Sequence, residues 1–216
     1  MPVPQNAAFY FVGHNYKTTG DLIVGRQSAS GGFLKGFINH GGTDTICCYA
    51  DNSAGRDEFI AFVKESMGDI EKVLSYFPTN IEKLQEIGTL FRPGPNVGEL
   101  AWLRRHFDQR AFSITGITHT VSEAMALDAI GDLLIAPIQT WDALVCSSKS
   151  VHTAVTRILT GWADYLEQRF TTRPPLIKMP VIPLGVDSEV VGGVFAVSYT
   201  HLRAHETEAD LVCRLL

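Results

Sequence analysis

No stretch of about 18 consecutive apolar residues occurs in the chain, so nothing in it reads as a membrane-spanning helix. The opening residues MPVPQNAAFYFVG have neither a basic n-region nor a long apolar h-region, which argues against a secretory signal. Positive charge is in deficit: 18 Lys and Arg face 23 Asp and Glu, a formal net charge of -5, which excludes a general attraction to nucleic acid. Cysteine is scarce at four residues, Cys47, Cys48, Cys146 and Cys213, and none has metal-ligand spacing. The adjacent Cys47–Cys48 pair is poorly suited to a disulfide. Cys47, Cys48 and Cys146 sit in apolar runs, as buried thiols of a reducing compartment do. The expectation is a cytoplasmic protein with no metal and no tightly held cofactor. The basic run Arg104, Arg105, His106 and Arg110 reads as a solvated helix face, with peripheral membrane or anion contact as the lesser alternative.

What is present is a globular composition, 45% hydrophobic and 19% charged over 216 residues, enough for a core of ordinary size. Short apolar runs alternate with longer amphipathic ones. Strands are expected at Ala8–Val12, Asp21–Val24, Thr45–Ala50, Val73–Tyr76, Thr89–Phe91, Ala111–Thr118, Ala143–Cys146 and Val181–Ile182. Helices are expected after Gly31–Gly32, after an N-cap at Ser53, over Asn80–Glu86, from an Asn96 cap to Phe107, from Ser122–Glu123 to Leu134, and from Ser148 or Ser150 to about Thr171. This alternation predicts an α/β fold: a Rossmann-like, doubly wound, mostly parallel sheet covered on both faces. Ligands of such sheets bind at the carboxyl ends of the strands.

Three loops fall at such ends. Gly25–Gly32 puts Gly31 and Gly32 before a helix, where backbone can approach a ligand and the helix N-terminus favours an anion. Its pattern is not the dinucleotide fingerprint, and on the local signal alone a plain helix-entry turn is the better account. Gly116–Thr120 carries His119 at a strand end, where an imidazole can position a hydroxyl or support developing charge; a hydrogen-bonded structural histidine is the alternative. Cys146–Ser150 offers Ser147 and Ser148 at a helix start, as ligand hydroxyls or as ordinary caps. Asp128 and Asp132, four apart, read as a solvated helix face rather than an acid–base pair.

In order along the chain, Gly31-Gly32-Phe33-Leu34, Gly116-Ile117-Thr118-His119-Thr120, Trp141-Asp142-Ala143-Leu144-Val145-Cys146-Ser147-Ser148 and Val181-Ile182-Pro183-Leu184-Gly185-Val186-Asp187 resemble the N-terminal domain of family 4 retaining glycosyltransferases of the GT-B fold. The last motif is similar to the I-P-N-G-V-D that leads into that family's second domain, with Leu184 standing where Asn is common. The resemblance implies one half of a GT-B fold. It implies His119 near the donor sugar as the catalytic candidate, and Gly31, Gly32, Ser147 and Ser148 as substrate-binding candidates. The implied partners are a nucleotide-sugar donor and a carbohydrate or lipid-linked acceptor, with no metal. A relative of sucrose- or glycogen-synthase type, or a non-transferring epimerase, is a variant of the same reading. A non-catalytic doubly wound ligand-binding or regulatory module is the alternative of a different class.

Residues 196–216 lack any helical or strand period and resemble a translated sequencing-library adapter. Val197–Glu206 matches a transposon end, and Asp210–Leu216 a flow-cell end, in one reading frame. The expected organisation is therefore an N-terminal acceptor-side domain over 1–187, the start of an interdomain segment over 188–195, and a non-native tail over 196–216. On this expectation the donor-binding half is missing and the encoded piece is inactive alone.

Overall fold

The computed structural model describes residues 6–12, 25–43, 45–67, 73–118 and 121–185, with backbone alone for 25–28. The strand expected at 21–24, His119 and the 196–216 tail lie outside the described residues. The chain divides into compact units of 1–184 and 185–216, and every strand and helix named below belongs to the first.

Among the described residues six strands form one sheet: β1 (Ala8–Tyr10), β2 (Ile46–Tyr49), β3 (Val73–Tyr76), β4 (Thr89–Arg92), β5 (Ser113–Thr118) and β6 (Ala143–Cys146). Their order is β3-β2-β1-β4-β5-β6, and every pairing is parallel. The strands are short and rich in Val, Ile, Leu, Phe and Cys, as strands buried on both faces are. The helices are α1 (Gly25–His40), α2 (Ser53–Met67), α3 (Gly98–Arg105), α4 (Ala124–Asp132) and α5 (Lys149–Phe170), with a 3₁₀ segment at Pro78–Glu86. The protein is thus an α/β molecule of Rossmann-like, doubly wound form.

Side-chain alternation along the strands splits the core in two. On one face Phe9, Ile46, Cys48, Phe91, Ile117 and Val145 meet Leu34 and Ile38 of α1 and Phe59 and Val63 of α2. Aromatic rings fill this layer: Phe33 stacks on Phe91 at 4.5 Å between centroids, and Phe11 meets Phe59 edge-on at 5.2 Å. On the other face Cys47, Leu90, Ile114, Leu144 and Cys146 pack on Leu84, Leu100, Ile130, Val155 and Leu159. Burial pushes the Cys48 thiol up to about 12, with the neighbouring Cys47 adding to the effect. Among the described residues no helix is long and apolar enough to cross a membrane.

Several expected boundaries move. The helix expected after Gly31–Gly32 begins at Gly25, so both glycines lie inside α1. Small residues explain this: Ser30 and Gly31 are buried one turn before Leu34 and extend its sheet-facing stripe backwards. The cap of α2 is supplied by Asn52, whose Oδ1 accepts from the Gly55 amide at 3.0 Å, with Ser53 already inside the helix. Val97, not Asn96, occupies the N-cap of α3, and its side chain makes no cap bond. Ser148 caps α5, accepting from the Val151 amide at 3.1 Å. The expected last strand is reduced to two parallel bridges beside β6, at Lys178 and Val181.

Candidate functional site

The strand order reverses between β1 and β4: from β1 the chain runs outward to β2 and β3, then crosses back to β4. Carboxyl ends at such a reversal border the crevice where open parallel sheets take their ligands. Here those ends carry Tyr10 and Arg92. The Arg92 guanidinium lies over the Tyr10 ring, 4.7 Å from its centroid. The Tyr10 hydroxyl donates to the Asp51 carboxylate at 3.1 Å. Arg92 Nη1 donates to Glu99 Oε2 at 2.8 Å, and the Asn96 amide reaches Glu99 Oε1 at 3.5 Å. Tyr49 flanks Tyr10 with ring centroids 5.5 Å apart.

Each member arrives for a local reason. Tyr10 and Tyr49 are register partners in the β1–β2 pairing, and Asp51 lies just past the end of β2, after the buried Ala50. Arg92 closes β4, and the Pro93-Gly94-Pro95 turn then swings the chain into α3, whose second residue is Glu99. Two close approaches fix that turn. A Cβ on Gly116 would lie 2.7 Å from the Gly94 carbonyl oxygen, and a Cβ on Gly98 would overlap the Asp132 carboxylate.

The electrostatics are mixed in sign. Burial raises the Tyr10 hydroxyl above its usual range, Asp51 adds to the rise, and Arg92 opposes it. Burial also raises the Asp132 carboxyl, with Glu99 contributing. Asp132 is therefore half-buried beside the start of α3 and is not part of a solvated face, whereas Asp128 is exposed as expected. Among the described residues no group of three or more His, Cys, Asp or Glu is arranged to hold a metal ion.

Of the residues singled out from the sequence, none of the described ones is among the contacts of this cluster. Ser147 and Ser148 follow β6, two strands away from β4 on the same carboxyl edge. The Ser148 hydroxyl is engaged in capping α5. Gly31 is buried within α1, and Gly32 is exposed there, with open space where a Cβ would lie. His119 follows the last residue of β5 and lies outside the described residues. Arg104, expected on a solvated basic face, is wholly buried and salt-bridged to Asp142 at 2.7 Å, both side chains at 0% exposure. It falls one turn after Leu100 and Ala101 on the sheet-facing side of α3, which overrides the charge run. Sequence reasoning passed over Tyr10, Asp51, Arg92 and Glu99. The signal for two of them was a polar residue directly after a buried apolar run, at Asp51 and Arg92.

Comparison with known proteins adds no relative: no family model, no curated protein and no solved structure matches the chain.

Proposed function

We propose that the chain is the N-terminal, acceptor-side half of a two-domain retaining glycosyltransferase, which moves a sugar from a nucleotide donor to a carbohydrate or lipid-linked acceptor. The observation that carries the reading is the route of the chain after α5. Leu144 and Cys146 of β6 donate to the Lys178 and Pro180 carbonyls, and the Ile182 amide returns a bond to Cys146, each at 2.9–3.0 Å. The compact unit then closes at Leu184. That closure falls inside Val181–Asp187, the run similar to the family's interdomain motif. Support also comes from the carboxyl edge of the sheet, which carries the Ser147–Ser148 turn and the end of β5, the strand that His119 follows.

In this reading the enzyme works by positioning two substrates and stabilising the departing diphosphate, and the second domain supplies most donor contacts. His119 serves the donor sugar, Ser147 and Ser148 serve the cleft, and the α1 region of Gly31 and Gly32 serves the diphosphate. The test has two steps. Source DNA is sequenced through and beyond the codon for Phe195; a second α/β domain in frame is expected, and a stop within a few codons would sink the proposal. The extended protein is then assayed with a panel of sugar nucleotides. Transfer is expected there, and the 216-residue chain alone should show none; turnover by the short chain would overturn the half-enzyme reading.

A further inference from the structure

The crevice at β1 and β4 has a chemical character of its own. Arg92 has five N–H donors, and Glu99 is its only hydrogen-bonding side-chain partner among the described residues. Its side chain is 13% exposed, yet the only fully buried side-chain nitrogen or oxygen without a partner among those residues is Arg104 Nε. Nε and Nη2 of the Arg92 fork are therefore accessible to solvent. Glu99, in contrast, is 66% exposed and holds the guanidinium through one oxygen, leaving its lone pairs accessible. Tyr10 joins the two sides of the cluster: Arg92 covers its ring and Asp51 takes its hydroxyl.

We propose that this crevice is a subsite for a neutral sugar, in which the Arg92–Glu99 pair reads two adjacent hydroxyls and Asp51 reads a third. A sugar hydroxyl both donates and accepts, so a vicinal diol needs a donor and an acceptor side by side. Arg92 and Glu99 present them 2.8 Å apart. Tyr10 is held by the Arg92 guanidinium over its ring and by the buried Tyr49 beside it, which fixes the polar groups of the site in place. Charge argues against the main competing ligand. Among the described residues the Arg92 guanidinium stands with two carboxylates, Asp51 and Glu99, which together repel a phosphate.

The assignment of this sugar as the acceptor rests on the transferase reading; binding itself does not. The test is saturation-transfer NMR on the full 216-residue chain. The probes are methyl α-glucoside, methyl α-mannoside and methyl α-galactoside, with glucose 6-phosphate and inorganic phosphate as charged counterparts. At least one methyl glycoside is expected to bind, more tightly than glucose 6-phosphate. Arg92→Gln and Glu99→Gln should each weaken it by about tenfold or more, as loss of a hydrogen bond to a charged group does. Should either variant fold poorly by circular dichroism, the neutral-over-phosphorylated preference of the unaltered chain still decides. No binding of any glycoside, tighter binding of the phosphorylated sugar or phosphate, or unchanged binding in both folded variants would overturn the proposal. Glycoside binding without transfer by the extended protein removes the transferase reading and leaves this one standing. Transfer without binding here removes this one alone.

Discussion

Asp142 accepts four hydrogen bonds while wholly buried: two from Arg104, and one each from the amides of Ile114 and Gln139, all at 2.7–2.8 Å. Arg104 in turn donates to the Phe112 carbonyl at 2.7 Å. The pair thus ties α3, the start of β5 and the turn before β6 into one polar knot under the sheet. A buried ion pair gains little over a well-packed apolar pair, because both ions lose their hydration, but removing one partner strands the other. Asp142→Ala should therefore destabilise by about 3–5 kcal/mol, and would also leave the Ile114 and Gln139 amides unsatisfied. Arg104→Met with Asp142→Leu should cost less than Asp142→Ala alone. Urea titrations of the three proteins check this; a double variant as unstable as the single one would mean that the backbone bonds to Asp142, not the charge pair, hold the knot.

At the scale of elements, glycines separate packing roles from helix entry. Gly32 lies inside α1 with open space where a Cβ would go, so Gly32→Ala should stabilise by about 0.5–1 kcal/mol through helix propensity. Gly116 sits in the middle of β5, where a Cβ would press on the Gly94 carbonyl oxygen at 2.7 Å and on a Val97 methyl at 2.5 Å. Backbone cannot move aside as a side-chain tip can, so Gly116→Ala should cost about 1–3 kcal/mol and push the Arg92–Glu99 turn off β5. Thermal melts of both variants give the signs, and a stabilising Gly116→Ala would contradict so close an approach of the turn to β5. The same elements mark the reach of the sequence. The runs at 46–49, 73–76, 89–92, 113–118 and 143–146 announce their strands, most plainly at β2 and β6, which are apolar and buried along nearly their whole length. The start of α1 was illegible, since Ser30 and Gly31 look like a loop until Leu34 and the sheet give them something to cover. Ser148 was one of two caps legible for α5, beside Ser150; Asn52 as the α2 cap lost to its neighbour Ser53, an equally good capping residue type.

Across the whole molecule, what the sequence conceals is adjacency. Parallel strands follow from the alternation of elements, but the order β3-β2-β1-β4-β5-β6 does not, and that order alone brings Tyr10, Asp51, Arg92 and Glu99 together from distant points of the chain. It also concentrates acidic protons in the sheet. Burial raises the thiols of Cys48 and Cys146 and the hydroxyls of Tyr10, Tyr49 and Tyr76, spread over β1, β2, β3 and β6. In the unfolded chain the thiols ionise from about pH 9 and the phenols from about pH 10, near their ordinary values. In the native state they remain protonated at those pH values, so the folded protein binds more protons than the unfolded one and stability falls as pH rises. The associated stability is complete below pH 9 and is lost progressively through the range up to about pH 12, the position of the Cys48 thiol. Cys48 alone, raised from 9.0 to about 12, corresponds to roughly 4 kcal/mol at about 1.4 kcal/mol per tenfold change. Urea midpoints should therefore hold level near neutral pH and drop steeply between about pH 9 and pH 11. Cys48→Ala should begin less stable, because it leaves a small cavity, yet show a shallower alkaline slope. A midpoint unchanged to about pH 11, or an identical slope in Cys48→Ala, would show that the thiol is not held protonated between the sheet and α1.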